Sequence, residues 1–263
     1  MTAVFRDYDQ TALDAQYEQR VWAPDMDEVI ARYAAASDAV RARLGEPVTQ
    51  AYGSSAAERL DVYGANREKA FVFVHGGAWR RESRRTSAFA AEQVVRAGAA
   101  YVALGFSALP AVTLPEMLRQ VCSGIAWVQR NLSPRVVLCG HSSGAHLAAC
   151  ALTRVDGIAR ALLISGLYDL EPVRLSARND YLQLEERLVQ ELSPIRHLER
   201  IRCPVTVCWS ERDSAEFTRQ SREFAAALRA PTIIGKGLDH FRMAETLADP
   251  GSPLGAAALT MLE

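Results

Sequence analysis

Short apolar runs alternate with segments of helical periodicity along most of the chain. The runs that predict strands are "RLDVY", "AFVFV", "AAYVALGF", "RVVLCG", "ALLISG", "CPVTVCW" and "PTIIGKG". Most of them are apolar at consecutive positions rather than at every second one, which is typical of strands covered by helices on both faces. The alternation therefore predicts an α/β fold with a mostly parallel central sheet.

Helical patterns fill the segments between these strands. Helices are predicted at about 25–44, 86–97, 114–132 and 215–228. The first has Asp25 as its expected N-cap and Gly45 as its stop, the residue types that favour those positions. We expect a single domain over 1–263, with an amino-terminal helical segment over about 1–45.

One long segment interrupts the alternation. Residues 167–202, from "LYDLEPVRL" to "SPIRHLERIR", are mostly polar and helical and separate two strong strand patterns. A segment inserted there would follow the carboxyl end of one strand, so we expect it to form a small helical cap over the strand ends.

Composition and charge narrow the class of partner. The 263 residues are 49% apolar, and 30 basic residues face 31 acidic ones, for a formal net charge of -1. This balance gives no electrostatic reason to expect nucleic acid or an anionic membrane as partner. A small-molecule substrate is the expected partner, and a homodimer stays open.

The start "MTAVFRDYDQ" lacks an apolar signal segment and no run of about 18 apolar residues occurs, so we expect a cytoplasmic protein.

The cysteines do not form metal or redox motifs. None of the five belongs to a C-x-x-C pair, and most lie in apolar runs, so we expect reduced core residues; they are Cys122, Cys139, Cys150, Cys203 and Cys208. No His, Asp or Glu cluster has metal-ligand spacing either. We expect neither a metal nor another cofactor.

The stretch "CGHSSGAHL" carries the first sign of chemistry. Gly140-x-Ser142-x-Gly144 lies between a predicted strand and a predicted helix, where glycines permit a sharp turn and close packing. The central position of such a turn projects its side chain above the sheet, so Ser142 is the candidate nucleophile. Ser143 would instead offer its backbone N–H to the reacting carbonyl.

A serine hydroxyl requires a base to become nucleophilic. His240, in "GLDHF" after the last predicted strand, lies where loops at the carboxyl edge of the sheet converge. His141 and His146 flank the candidate nucleophile and are expected to pack around it. His75 is expected to hold a loop, and His197 to be solvated. We therefore predict His240 as the base.

An acid must orient that base. Asp213, in "WSERD" directly after a predicted strand, gives the order Ser142, Asp213, His240, which is the triad order of α/β-hydrolases. Glu211 and Asp169 are the alternatives.

The stretch "HGGAW" predicts the oxyanion site. It leaves a strand with two glycines, so its backbone N–H groups can approach a tetrahedral oxyanion without obstruction. We assign Gly77, Ala78 and Ser143 as the donors, and Gly76 as the residue that permits the turn.

A basic stretch, "RRESRR", follows the oxyanion loop. Its four arginines are either the solvated start of a helix or a group from which one member pairs with a substrate carboxylate; they are Arg80, Arg81, Arg84 and Arg85.

The motifs together resemble a known family. "HGGAW", "GHSSGAHL", "SGLYDLEPV", "SERD" and "DHF", with "LDAQYEQR" and "YGSSAAERLDVY" near the start, closely resemble the arylformamidase (kynurenine formamidase) branch of the α/β-hydrolases. That branch is a neighbour of the hormone-sensitive-lipase-like esterases. The resemblance covers nearly the whole chain and implies an α/β-hydrolase fold. Many members have an aromatic residue in the loop where this chain has Ala78.

The resemblance implies hydrolysis of N-formyl aryl amines, typified by N-formylkynurenine of tryptophan catabolism, through a formyl-enzyme. The family's serine, aspartate and histidine fall on Ser142, Asp213 and His240. Trp79, Tyr168 and Phe241 are candidates for packing against the substrate. Two alternatives stay open: a short-chain carboxylesterase with the same triad, and a non-catalytic hydrolase fold that binds a ligand.

Overall fold

A computed structural model describes residues 2–64 and 68–263 of the chain. Its strands are β1 (Val48–Ala51), β2 (Arg59–Tyr63), β3 (Lys69–Val74), β4 (Ala100–Leu104), β5 (Arg135–His141), β6 (Ile158–Ile164), β7 (Val205–Ser210) and β8 (Thr232–Gly235). They form one sheet in the order β1-β2-β4-β3-β5-β6-β7-β8. The pairs β1–β2 and β2–β4 are antiparallel and the other pairs are parallel. The predicted mostly parallel sheet is confirmed.

Helices cover both faces of this sheet. They are α1 (Gln10–Tyr17), α2 (Gln19–Trp22), α3 (Met26–Leu44), α4 (Ala91–Arg96), α5 (Leu114–Asn131), α6 (Ser143–Leu152), α7 (Glu171–Arg174), α8 (Asn179–Leu182), α9 (Glu186–Leu192), α10 (Ala215–Leu228), α11 (His240–Glu245) and α12 (Pro253–Thr260). Short 3₁₀ helices occupy Arg84–Ser87, Pro194–Arg196, Leu198–Arg200 and Thr246–Ala248. None of the helices in the described ranges has the length and hydropathy needed to cross a bilayer.

The apolar strands supply two separate cores. In β3, Val72 and Val74 belong to the core beneath α1, α5, α6 and α10, whereas Phe71 and Phe73 belong to the core beneath α3, α4, α11 and α12. Successive side chains of a strand point to opposite faces, so a strand covered on both faces is apolar at every position. This arrangement explains the continuous apolar runs of the sequence.

Several elements differ from the sequence pattern. The helix predicted over 86–97 is interrupted: a 3₁₀ turn ends at Ser87 and α4 begins at Ala91. The N–H of Ala88 donates to Ser37 Oγ of α3, and the Tyr101 hydroxyl donates to the Ser87 carbonyl, so tertiary hydrogen bonds replace helical ones there. Edge strand β1 was not predicted, because its short sequence VTQA is mostly exposed and carries little apolar signal.

The segment between β6 and β7 holds three short helices, α7, α8 and α9, and two of the 3₁₀ turns. It contacts the amino-terminal helices: the N–H of Ala177 donates to Asp14 Oδ1 at 2.7 Å, and Arg178 donates to the carbonyl oxygen of Tyr17. All five cysteines are free, and Cys139, Cys150 and Cys208 are buried.

Candidate active site

The turn from β5 to α6 places Ser142 at a strained backbone position. Its φ of 56° and ψ of -124° lie in a region that residues with a side chain rarely adopt. A Cβ on Gly140 would collide with the carbonyl of Gly144, and a Cβ on Gly144 would collide with the carbonyl oxygens of Val74 and His75. The two glycines therefore let strand and helix pack closely enough to force this turn.

His240 and Asp213 form the second part of the site. His240 begins α11, Asp213 follows β7, and the distance from His240 Nδ1 to Asp213 Oδ1 is 2.6 Å. The other carboxylate oxygen, Oδ2, accepts from Ser165 Oγ at 2.6 Å and from the N–H of Ser210 at 3.0 Å. Burial favours a higher pKa for Asp213, but the positive charge of His240 in its protonated form and these hydrogen bonds hold the pKa below its ordinary value. Asp213 is therefore a carboxylate that fixes the imidazole ring.

The far nitrogen of His240 is left free. Its Nε2 atom is buried and has no hydrogen-bond partner in the part of the chain that the structure describes. When the ring is neutral, Nδ1 carries the proton that the Asp213 carboxylate accepts, and Nε2 is the unprotonated acceptor. His240 and Ser142 line the same cavity. The arrangement can thus remove a proton from a group in that cavity.

Neighbouring residues hold His240 in place. His141 Nε2 donates to the His240 carbonyl at 3.0 Å, and the Phe217 ring stands edge-on to the imidazole at a centroid distance of 4.8 Å. Burial, with the nearby charge of His240, lowers the pKa of His141 to about 3, so His141 is neutral and can serve only as a hydrogen-bonding and packing residue. Sequence reasoning expected packing from His141 but missed Ser165, for which no local motif gave a signal.

Helix α3 supports α11 from outside. The Tyr33 hydroxyl donates to the Phe241 carbonyl, and Arg242 pairs with both Asp25 and Asp239. Asp25 occupies the predicted N-cap position of α3, but its side chain makes no capping hydrogen bond and binds Arg242 instead. Amino-terminal residues are therefore part of the support for His240.

The loop after β3 supplies free backbone donors. Gly77 has φ of 98° and Ala78 has φ of 53°, and a Cβ on Gly77 would collide with the backbone of Arg81. The N–H groups of Gly77 and Ala78 donate to no other described residue. Gly76 packs against the Ser142 turn, and Ser143 Oγ accepts from the N–H of Trp79 at 3.1 Å, which ties the loop to the start of α6. The predicted oxyanion residues thus lie together beside Ser142.

A cavity of about 540 Å³ opens over these groups. Of the three candidates for packing against the substrate, Phe241 lines this cavity, whereas Trp79 and Tyr168 do not. Trp79 is buried and its indole Nε1 donates to His146 Nδ1 at 3.3 Å. Tyr168 is fully buried and stacks on Phe224 at a centroid distance of 4.0 Å. Both rings belong to the core.

The alternative acids have other partners. Asp169 accepts from the N–H of Glu171 at 3.1 Å and lies 3.4 Å from Arg196 Nη2, while Glu211 accepts from the N–H of Gly237 at 2.7 Å. Neither contacts His240.

Two other histidines also have structural partners. His75 stacks on Phe106 at a centroid distance of 4.3 Å, and His197 hydrogen-bonds the Gln190 carbonyl at the surface.

The four arginines of "RRESRR" separate into two groups. Arg80 and Arg81 line the cavity, whereas Arg84 and Arg85 do not. Arg84 Nε donates to Asp61 Oδ1 at 3.0 Å. Among the described residues, no cluster of three or more His, Cys, Asp or Glu side chains is arranged to hold a metal ion.

Comparison with known proteins places this geometry in a family. Residues 71–233 match the family model for the alpha/beta hydrolase fold. The matched region runs from β3 to β8 and includes Ser142 and Asp213, but it ends before His240. The kynurenine formamidase of Danio rerio is 34% identical, and the alignment covers 95% of both chains. The chain belongs to the kynurenine formamidase family of α/β-hydrolases.

Solved structures support the same fold. A Silicibacter sp. TM1040 protein, provisionally assigned as a thioesterase, aligns with a TM-score of 0.85 and 25% identity over 94% of this chain and 98% of that one. An esterase from Pyrobaculum calidifontis aligns with a TM-score of 0.69 and 19% identity over 94% and 96% of the two chains. As a kynurenine formamidase family member, the chain thus shares its architecture with ester hydrolases.

Proposed function

We propose that this chain hydrolyses N-formyl aryl amines such as N-formylkynurenine, with Ser142, His240 and Asp213 as the catalytic residues. One observation carries the assignment of these residues: Asp213 fixes His240 at 2.6 Å and leaves its Nε2 atom free in the cavity that Ser142 lines. Full-length similarity to a kynurenine formamidase supports the choice of substrate class.

The reaction proceeds in two halves. His240 Nε2 removes the proton from Ser142 Oγ as that oxygen attacks the formyl carbon, and it then donates the proton to the departing aniline nitrogen. Water, deprotonated by the same nitrogen, attacks the formyl-serine ester; the His240 imidazolium then returns this proton to Ser142 Oγ as the ester bond breaks, and formate leaves. Asp213 stays ionised throughout and stabilises the imidazolium that forms twice.

Backbone groups stabilise the oxyanion of both tetrahedral intermediates. Gly77, Ala78 and Ser143 supply the N–H donors, and the positive φ values of Gly77 and Ala78 fix the loop before substrate arrives. One such donor is worth about 3 to 4 kcal/mol in the transition state.

Acyl specificity tests the formamidase assignment directly. A formyl carbon carries only hydrogen, so a pocket shaped for it has no space for a longer acyl chain. Each lengthening of the acyl group should then cost about 1 to 3 kcal/mol of transition-state binding. We expect release of formate from N-formylkynurenine, and kcat/KM falling from formyl to acetyl to butyryl esters of one phenol. Faster cleavage of butyryl than acetyl esters, with N-formylkynurenine left intact, would identify a carboxylesterase instead.

The nucleophile is tested in the same assays. Ser142→Ala should abolish hydrolysis and covalent labelling by a fluorophosphonate without changing thermal unfolding. Ser143→Ala is the matched control, because it keeps the backbone N–H and should still be labelled. Labelling that persists in S142A and disappears in S143A would reverse the assignment.

A further inference from the structure

One cationic side chain of the cavity is held rigidly by main-chain and aromatic contacts. Arg178 directly precedes α8 and lines the cavity that contains Ser142 and His240. Its Nε and Nη2 atoms donate to the Tyr17 carbonyl at 3.2 and 2.6 Å. Its Cζ atom lies 5.8 Å from the ring centroid of Tyr17 and 5.9 Å from that of Trp79, both within the range of cation–π attraction. The guanidinium is therefore oriented before any ligand binds.

The opposite end of this guanidinium has no hydrogen-bond acceptor of good geometry among the described residues, although the group lies close enough to the Tyr181 phenol to lower its pKa. Nη1 is buried and donates no hydrogen bond to any described residue. Guanidinium carries five N–H donors, and the Tyr17 carbonyl engages only one edge of the group. A buried charged donor without an acceptor is energetically unfavourable. A ligand oxygen that accepts a hydrogen bond from Nη1 would therefore stabilise the guanidinium in this position.

The carboxylates of the same cavity have other partners. Asp14 accepts from the N–H of Ala177, Glu18 from the N–H of Arg20, and Glu82 from the hydroxyl of Thr86. In the described part of the chain, none of them forms an ion pair with Arg178. The hydrogen-bond acceptor of Arg178 is the neutral Tyr17 carbonyl. No carboxylate among residues 2–64 and 68–263 therefore forms a salt bridge with this cation.

Further positive charge surrounds the same region. Arg80 and Arg81 also line the cavity, and Arg80 Cζ lies 4.6 Å from the ring centroid of Tyr181. Burial raises the pKa of Tyr181, whereas the charges of Arg178, Arg80 and Arg81, together with the close contact of Arg178 with the phenol, act in the opposite direction. Three guanidinium groups therefore lie near one phenol at the cavity wall. Their combined positive potential favours the binding of an anion in the cavity.

Arg178 differs from the other two arginines in its burial and fixation. Arg80 and Arg81 are exposed, so water screens their charges. Arg178 packs on Trp79, which follows the oxyanion loop and is tied to Ser143 by its own N–H. We propose that Arg178 is the specificity-determining residue that binds a carboxylate of the substrate while Ser142 attacks the formyl group. This inference rests on the proposed function.

Matched substrates that differ only in charge test this assignment. The first pair is N-formylkynurenine and its α-carboxamide; the second is a pair of phenyl acetates, one with a carboxylate side chain and one with the corresponding carboxamide. Arg178→Gln should lower kcat/KM about 10- to 100-fold for the carboxylate members, mainly through KM, and change the carboxamides less than about twofold. Arg174→Gln is the control: Arg174 pairs with Glu171 in α7, does not line the cavity, and should leave both pairs unchanged.

The outcomes separate the two proposals. One outcome is that wild-type enzyme does not hydrolyse either formamide but prefers the anionic ester, and that R178Q loses this preference. That outcome would contradict the formamidase assignment and support the role of Arg178. Equal losses on charged and neutral members would show that Arg178 only holds the Tyr17 segment, and would overturn the inference. A wild-type enzyme without preference for the carboxylate in either pair would overturn it as well.

Discussion

At the scale of single residues, the site depends on how completely Asp213 is hydrogen-bonded. Its two carboxylate oxygens accept from His240, Ser165 and Ser210, and the side chain is fully buried. Such a carboxylate cannot move to another partner, so the imidazole ring keeps one orientation and one tautomer. Ser165, which directly follows β6, therefore positions the acid and does not touch the reacting atoms.

Asp213→Asn should lower kcat by about four orders of magnitude. The amide preserves the shape but can donate to Nδ1, which leaves Nε2 protonated and unable to accept the serine proton. Steady-state hydrolysis of an aryl formate measures this loss, and thermal unfolding checks the fold. Asp169→Asn is the control, since Asp169 binds Arg196 instead of His240; a greater loss in D169N than in D213N would contradict the proposed triad.

At the scale of elements, β5 and α6 are packed against the end of β3 without space for a side chain. Gly144 lies against the Val74 and His75 carbonyls, and the chain continues from His75 into the oxyanion loop. The nucleophile turn and the oxyanion loop therefore share one contact, and a change in one element displaces the other.

Gly144→Ala should reduce both stability and activity. The added Cβ must push the end of β3 away, at about 1 to 3 kcal/mol of unfolding free energy, and must shift the Gly77 and Ala78 donors. Gly98→Ala is the control: φ at Gly98 is +82° and no atom lies within 4 Å of its added Cβ, so we expect a cost of about 1 to 2 kcal/mol with unchanged kcat. Equal kcat values in G144A and wild type would show that the two elements are not coupled.

At the scale of the whole molecule, three buried histidines link stability to pH. Burial lowers the pKa to about 4 for His75 and His146 and to about 3 for His141. Each is neutral in the folded chain at pH values where the unfolded chain, with pKa near 6.5, binds a proton. Their stabilising contribution is therefore complete above pH 6.5 and is lost as the pH falls toward 4.

The unfolding free energy should consequently decrease below pH 6.5, by up to about 1.4 kcal/mol per pH unit for each histidine. Urea titrations between pH 8 and pH 4.5 measure the slope. His146→Gln should reduce this acid slope by close to one proton, because the amide cannot take up a proton in the unfolded chain. A wild-type slope in H146Q would exclude His146 as one of the linked groups.

The sequence by itself determined the features that depend on neighbouring residues. Continuous apolar runs require strands covered on both faces, and the glycine spacing of "GHSSG" after such a run requires the strained turn at Ser142. The positions of Asp213 and His240 follow in the same way, because the carboxyl ends of parallel strands meet at one edge of the sheet.

Only the tertiary structure decided which side chains face the cavity. Trp79 and Tyr168 lie beside site motifs in sequence, yet they pack into the core, whereas Arg178 lies in the cavity wall because its segment contacts the amino-terminal helices. Ser165, directly after β6, likewise binds Asp213 in the loop after β7. The physical reason is that backbone turns are set by local sterics, while the direction and partners of a side chain are set by packing between segments that are distant in sequence.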